Sequence, residues 1–132
     1  MIVKSPLKMY CIFNPPALKA MKGVRGKLAA QAGHAFLHAW WDASKRAEEV
    51  GECAMDYFHS DHAYKITLAA PDDATEEWFD DLIAHFSKIT GVTKVVDAGF
   101  TVFDGPTLTC IGIGPVSSDE CKYVLKSLRT LS

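Results

Sequence analysis

The chain predicts a single α/β domain over residues 1–132, a three-layer α-β-α arrangement on a four-stranded mixed sheet. Three observations carry this. Apolar stretches of strand length alternate with stretches of helical period, in the order β-α-(α)-β-α-β-β-α, so strands are joined by crossovers and helices cover both faces of the sheet. Proline and glycine punctuate the boundaries at Asn14-Pro15-Pro16, Pro71-Asp72-Asp73, Gly91, Gly105-Pro106 and Gly114-Pro115. At 132 residues, with 48% hydrophobic and 23% charged content, the chain suits one ordinary globular core.

The first strand is Leu7 to Phe13, nearly continuous in apolar residues and therefore buried on both faces. Asn14-Pro15-Pro16 breaks it, and Ala17 to Val24 reads as a basic loop with room for one helical turn. A long helix is expected from about Gly26 to about Val50, stopped by Gly51. Glu52 to Asp61 reads as a short helix or turn. Ala63 to Ala69 is the second strand. Asp73 and Glu76 have the spacing of a capping box for a helix to about Ile89, with Trp78, Leu82, Ile83 and Phe86 on its apolar stripe. Val92 to Val96 is the third strand, and Asp97-Ala98-Gly99 turns at its end. Thr107 to Ile113 is the fourth strand, closed by Gly114-Pro115. Ser117 and Glu120 are placed to cap a last helix, about Ser118 to Leu128.

No apolar run nears the roughly 18 residues that span a bilayer, and the N-terminus lacks the apolar core of a secretory leader. The cysteines at 11, 53, 110 and 121 are far apart, which predicts reduced thiols and a cytoplasmic protein; Cys11 and Cys110 fall in strands as core packing. Charge is divided unevenly. Residues 1–41 hold six basic residues and no acid, while the other 91 hold eight basic and sixteen acidic residues. The basic block is where a polyanion would dock, and the acidic remainder argues against indiscriminate coating of nucleic acid.

The stretch Gly26-Lys27-Leu28-Ala29-Ala30-Gln31-Ala32-Gly33-His34-Ala35 reads as the opening of a helix. Arg25 and Lys27 sit where backbone N–H groups are free and the helix dipole is positive, which suits an anion such as phosphate. Ala29, Ala30, Ala32, Gly33 and Ala35 would let the helix backbone approach a sheet. Gln31, His34 and His38 fall on one stripe. The same residues also suit an Ala-rich core helix. His34 and His38 have the i, i+4 spacing of a helical zinc pair, but no Glu adjoins His34 and no third ligand is evident, so no metal or cofactor is expected.

Asp97 stands at a strand end on a small-residue turn, where ligands bind in sheets of this kind. Thr101 and Thr109 follow on either side of a short loop. A carboxylate, two hydroxyls and a lysine could position a water, bind an ester carbonyl and hold a neighbouring phosphate or ribose. An ordinary Asp, near pKa 3.9, is a poor base at neutral pH and more readily orients a water or a cation. Asp97 also suits a plain Asx turn, and the threonines also suit ordinary strand positions.

These two stretches resemble the GK-x-AAQ-x-x-HA and the DAG-x-T … T-x-T-x-x-GIGP signatures of the type 2 (archaeal and eukaryotic-type) peptidyl-tRNA hydrolases. The match covers Gly26–Ala35, then Asp97–Thr101 and Thr107–Pro115, in order, with the spacing from the aspartate to the last threonine kept. The resemblance implies that family's four-stranded mixed sheet between helices. It also implies metal-free hydrolysis of the ester that joins a peptide to the terminal ribose of tRNA, during translation and ribosome rescue. It assigns catalysis to Lys27, Asp97, Thr101 and Thr109, and substrate binding to Gln31 and His34. Arg25 stands where the family has a lysine, Phe100 where it has a basic residue, and Val102 where it has a polar one. Asp104-Gly105-Pro106 inverts a Pro-Gly pair, and the 14–24 loop is several residues longer. Arg25, Lys22, Lys19 and Phe100 join the substrate-binding candidates, the basic residues for the tRNA backbone and Phe100 as a stacking surface. tRNA is the expected partner, a second copy of the chain a candidate one, and no membrane is expected. Two other readings remain open. One is a non-catalytic binder of a nucleotide or RNA end on the same scaffold; the other is a hydrolase of another small nucleotide or ester.

Overall fold

The computed structural model describes residues 6–99 and 102–131. It builds the mixed α/β sheet that the element order predicts. The strands β1 (Leu7–Phe13), β2 (Tyr64–Ala69), β3 (Val92–Asp97) and β4 (Thr107–Ser117) are joined by a two-residue β5 (Arg129–Thr130), in the order β3-β4-β1-β2-β5. β1 runs parallel to β2; the other neighbouring pairs are antiparallel. The parallel pair needs a crossover, and α1 (Pro15–Ala20), α2 (Arg25–Ser44) and α3 (Glu48–Phe58) supply it. α4 (Glu76–Phe86) connects β2 to β3, and α5 (Ser118–Cys121) follows β4.

Alternation along β1 sorts the two cores. Tyr10 and Ile12 point to one face and pack with Phe79, Leu82 and Phe86 of α4 and with Cys121 and Leu125. Met9, Cys11 and Phe13 point to the other face. There Cys11 and Phe13 join Ala17, Met21, Ala35 and Cys110. Met9 joins Ala39 and Tyr57. Cys11 and Cys110 are fully buried free thiols, the packing role expected of them. Among the described residues no helix is long and apolar enough to cross a membrane.

α2 lies almost on the sheet. Its buried residues are Gln31, Ala35, Ala39 and Ala43, one every fourth position. A Cβ on Gly112 would come within 2.2 Å of the Ala35 carbonyl oxygen, and one on Gly91 within 2.1 Å of that of Ala39. The close approach is therefore made by alanines meeting a glycine within β4 and one just before β3. Of the small residues expected to make it, Ala35 does, whereas Ala29, Ala30 and Gly33 are exposed and Ala32 is half-buried.

Several boundaries differ from expectation. The helix expected to run from Gly26 to Val50 is two helices that break at Lys45–Ala47. Gly51 does not stop a helix. It lies inside α3, where a Cβ would sit 2.3 Å from the Arg46 carbonyl oxygen, and Trp40 donates its indole N–H to Ala54 O at 2.9 Å to hold α3 back against α2. The Pro15-Pro16 pair starts α1, because proline suits the first turn of a helix. Thr75, not Asp73, caps α4 by accepting from Trp78 N at 3.2 Å, and that helix ends at Phe86. β4 continues through Gly114-Pro115 to Ser117. Gly114, at φ +130°, absorbs a register shift against β1 between Lys8 and Tyr10, and pairing resumes at Val116. The last helix is a single turn capped by Ser117. The chain then turns and adds β5 to the free edge of β2.

Candidate active site

The head of α2 and the ends of β3 and β4 meet on one side of the sheet. Lys27 Nζ lies 2.5 Å from Asp97 Oδ2, and the two side chains keep 19% and 11% of their exposure. Asp97 Oδ1 accepts the Gly99 backbone N–H at 2.9 Å, the Asx-turn bond that its place before Ala98-Gly99 suggests. Gly99 is at φ +89°, and a Cβ there would lie 2.5 Å from the Gly105 backbone, so only glycine lets the turn close. The Lys27 hydrogen bond first, and then the Gly99 N–H, hold the Asp97 carboxyl below its ordinary value against partial burial; the charges of Lys27 and His34 act the same way more weakly. Asp97 is thus an anion at neutral pH, shaped to orient a cation or a water.

Gln31 links this pair to the core. Its side chain is 4% exposed, its Nε2 lies 3.5 Å from Asp97 Oδ2, and its Oε1 accepts the Thr109 hydroxyl at 2.7 Å. Thr109 is fully buried, with Val95 O as a second acceptor at 3.1 Å. Its hydroxyl therefore faces Gln31 and the β3 backbone, and reaches Asp97 through the glutamine. Every polar atom in this chain of contacts has a partner, as a buried network requires.

The other candidates take different places. His34 is exposed, edge-to-face with His38 at 6.1 Å between ring centroids. Arg25, Lys22 and Lys19 are exposed along a groove on the α1 side of α2. Phe100 and Thr101 lie outside the described residues. Asn14 escaped the sequence reading. Its backbone N–H donates to Thr109 O at 2.9 Å, and its side-chain amide donates to Leu108 O at 3.0 Å, so it moors the basic segment to the strand that carries Thr109. An asparagine between a buried strand and a proline pair was the available signal. Arg129, in the same groove as Lys19 and Lys22, was also missed. Among the described residues no three His, Cys, Asp or Glu side chains are placed to share a metal ion.

A lysine–aspartate pair at a helix head is thus backed by a buried amide and hydroxyl and flanked by cations that, among the described residues, have no ion-pair partner. The sequence pattern of one family, peptidyl-tRNA hydrolase PTH2, matches residues 7–131, and the chain belongs to that family. Among its relatives, a peptidyl-tRNA hydrolase of Methanococcus vannielii is 32% identical over 114 residues, covering 84% of this chain and 90% of its own. A peptidyl-tRNA hydrolase of Methanopyrus kandleri is 34% identical over 113 residues, with the same coverage. The mitochondrial peptidyl-tRNA hydrolase 2 of Bos taurus is 31% identical over 111 residues, covering 83% of this chain and 58% of its own.

Proposed function

We propose that the chain hydrolyses the ester of peptidyl-tRNA, or of an N-blocked aminoacyl-tRNA, releasing the peptide acid and free tRNA. The observation that carries this is the 2.5 Å Lys27–Asp97 pair at the head of α2. Water adds to the ester carbonyl, negative charge builds on the carbonyl oxygen, and the bond to the ribose oxygen breaks. The proton that the water gives up replaces the peptide on that ribose oxygen. Lys27 places its charge where the oxyanion forms, in a half-buried site where such stabilisation is stronger than in water. Asp97, an anion with a lowered carboxyl, holds the ammonium and the attacking water in register and is ill-suited to remove the proton itself.

Gln31 and Thr109 act behind the pair. Thr109 fixes the Gln31 amide, and Gln31 fixes Asp97. His34 lines the exposed side. Thr101 supplies a further polar contact, as the family motif implies; Phe100, which replaces the motif's basic residue, supplies a stacking surface. Arg25, Lys22 and Lys19 contact the RNA phosphates, so affinity for tRNA should fall steeply as salt rises. The work belongs to translation in the cytoplasm.

Release of N-acetyl-amino acid from acetylated aminoacyl-tRNA tests the reading. Turnover of the blocked ester is expected, with Lys27→Ala lowering it by about 100-fold, or about 2.7 kcal/mol. A folded protein that binds tRNA and releases nothing would overturn it in favour of a binder on the same scaffold.

A further inference from the structure

Beside the head of α2 lies an open groove of about 780 Å³. Four cations line it, Lys19, Lys22, Arg25 and Arg129, against one carboxylate, Asp72. They come from four parts of the chain. Lys19 is on α1, Lys22 in the following turn, Arg25 at the start of α2 and Arg129 on β5. Arg129 is brought there by pairing with Ala69, whose strand leads into Asp72. Lys27, Arg46 and Lys94 are all ion-paired, whereas among the described residues none of the four groove cations is. Unpaired positive charge converging on a concavity is the arrangement that takes phosphates.

The floor is apolar. Pro15, Leu18, Met21 and Leu28 line it. A surface made only for the outside of a duplex has no use for an apolar floor, whereas unstacked bases and riboses do. Position agrees. Leu28 lines the groove and Lys27 reaches Asp97. Neighbouring residues on a helix diverge by about 100°, so the groove and the reacting pair adjoin the same helix end. The RNA that occupies the groove is therefore the segment next to the ester-bearing ribose.

We infer that this groove seats the single-stranded 3′ end of the RNA substrate, with Arg129 a phosphate contact supplied by the chain's last strand and Asp72 a restraint on its affinity. The inference rests on the peptidyl-tRNA reading and names where that substrate's terminal nucleotides go.

Fluorescence anisotropy tests it, with a 5′-labelled single-stranded hexaribonucleotide bearing a free 3′-hydroxyl and a blunt-ended RNA hairpin as probes. Arg129→Ala is expected to weaken hexanucleotide binding about tenfold at low salt and to flatten the log–log salt dependence by about 0.7. Asp72→Asn is expected to tighten the same binding, a gain that mere loss of structure cannot give. The hairpin should bind more weakly and ignore Arg129→Ala. Unchanged hexanucleotide affinity in Arg129→Ala, weaker binding by Asp72→Asn, or equal dependence of both probes on Arg129 would overturn the inference. The probes carry no ester, so the outcome is separate from turnover. Wild-type hydrolysis with binding indifferent to Arg129 overturns the groove alone; binding that depends on Arg129 without hydrolysis upholds the groove as an RNA-end site and overturns the enzyme.

Discussion

Asp97 and Thr109 show how much one residue's surroundings decide. The Asp97 carboxyl is held below its usual range by Lys27 and Gly99, so it stabilises the fold where it is ionised. That contribution is full above the ordinary value of about 3.9 and is lost as pH falls through the lowered value. The stability gap between wild type and Asp97→Asn is therefore expected to be largest near neutrality and to close in acid, as urea denaturation at several pH values would read. A gap that widened in acid would contradict this. Thr109→Val keeps the shape but leaves the buried Gln31 oxygen without its donor, which is expected to cost about 1–3 kcal/mol of stability. Its effect on turnover should be smaller than that of Lys27→Ala, since the hydroxyl acts through Gln31. Lys27 and Asp97 were legible in the sequence because each sits in a motif at an element end. That Thr109 would turn inward onto Gln31 was not legible, because its acceptor lies on α2, far away in the sequence.

At the scale of elements, the site depends on how closely α2 lies on β3 and β4. Gly112→Ala would drive a methyl toward the Ala35 carbonyl. It is expected to destabilise the protein by about 1–3 kcal/mol, read as a lowered Tm. Turnover should fall with it even at temperatures where the variant stays folded, because α2 carries Lys27 and Gln31. Retained stability and turnover would show that the helix can lift without cost. The main strands and helices were readable from periodicity and from Pro/Gly punctuation. The α2–α3 break was not, since no proline marks it and Gly51, which looks like a stop, serves a close contact with Arg46. β5 was not readable either: two residues carry no period, and their pairing is set by the free edge of β2.

For the whole molecule, the uneven division of charge along the chain becomes a division in space. The acid-free first 41 residues include β1, α1 and most of α2, and Arg129 from near the other terminus joins Lys19, Lys22 and Arg25 in one groove. Charge swaps at Lys19 and Lys22 are therefore expected to raise the KM for acetylated aminoacyl-tRNA and leave kcat nearly unchanged, with the difference vanishing at high salt. An unchanged KM at low salt would contradict this. The family signature made the reaction legible in the sequence, whereas the groove, assembled from distant segments, required the fold. The central claim is that Lys27 and Asp97 work as one unit on the ester. A double-mutant cycle on hydrolysis of acetylated aminoacyl-tRNA tests it most directly, with Lys27→Ala, Asp97→Asn and the two combined. The account predicts that the double variant is no slower than Lys27→Ala alone; losses that multiply would contradict it.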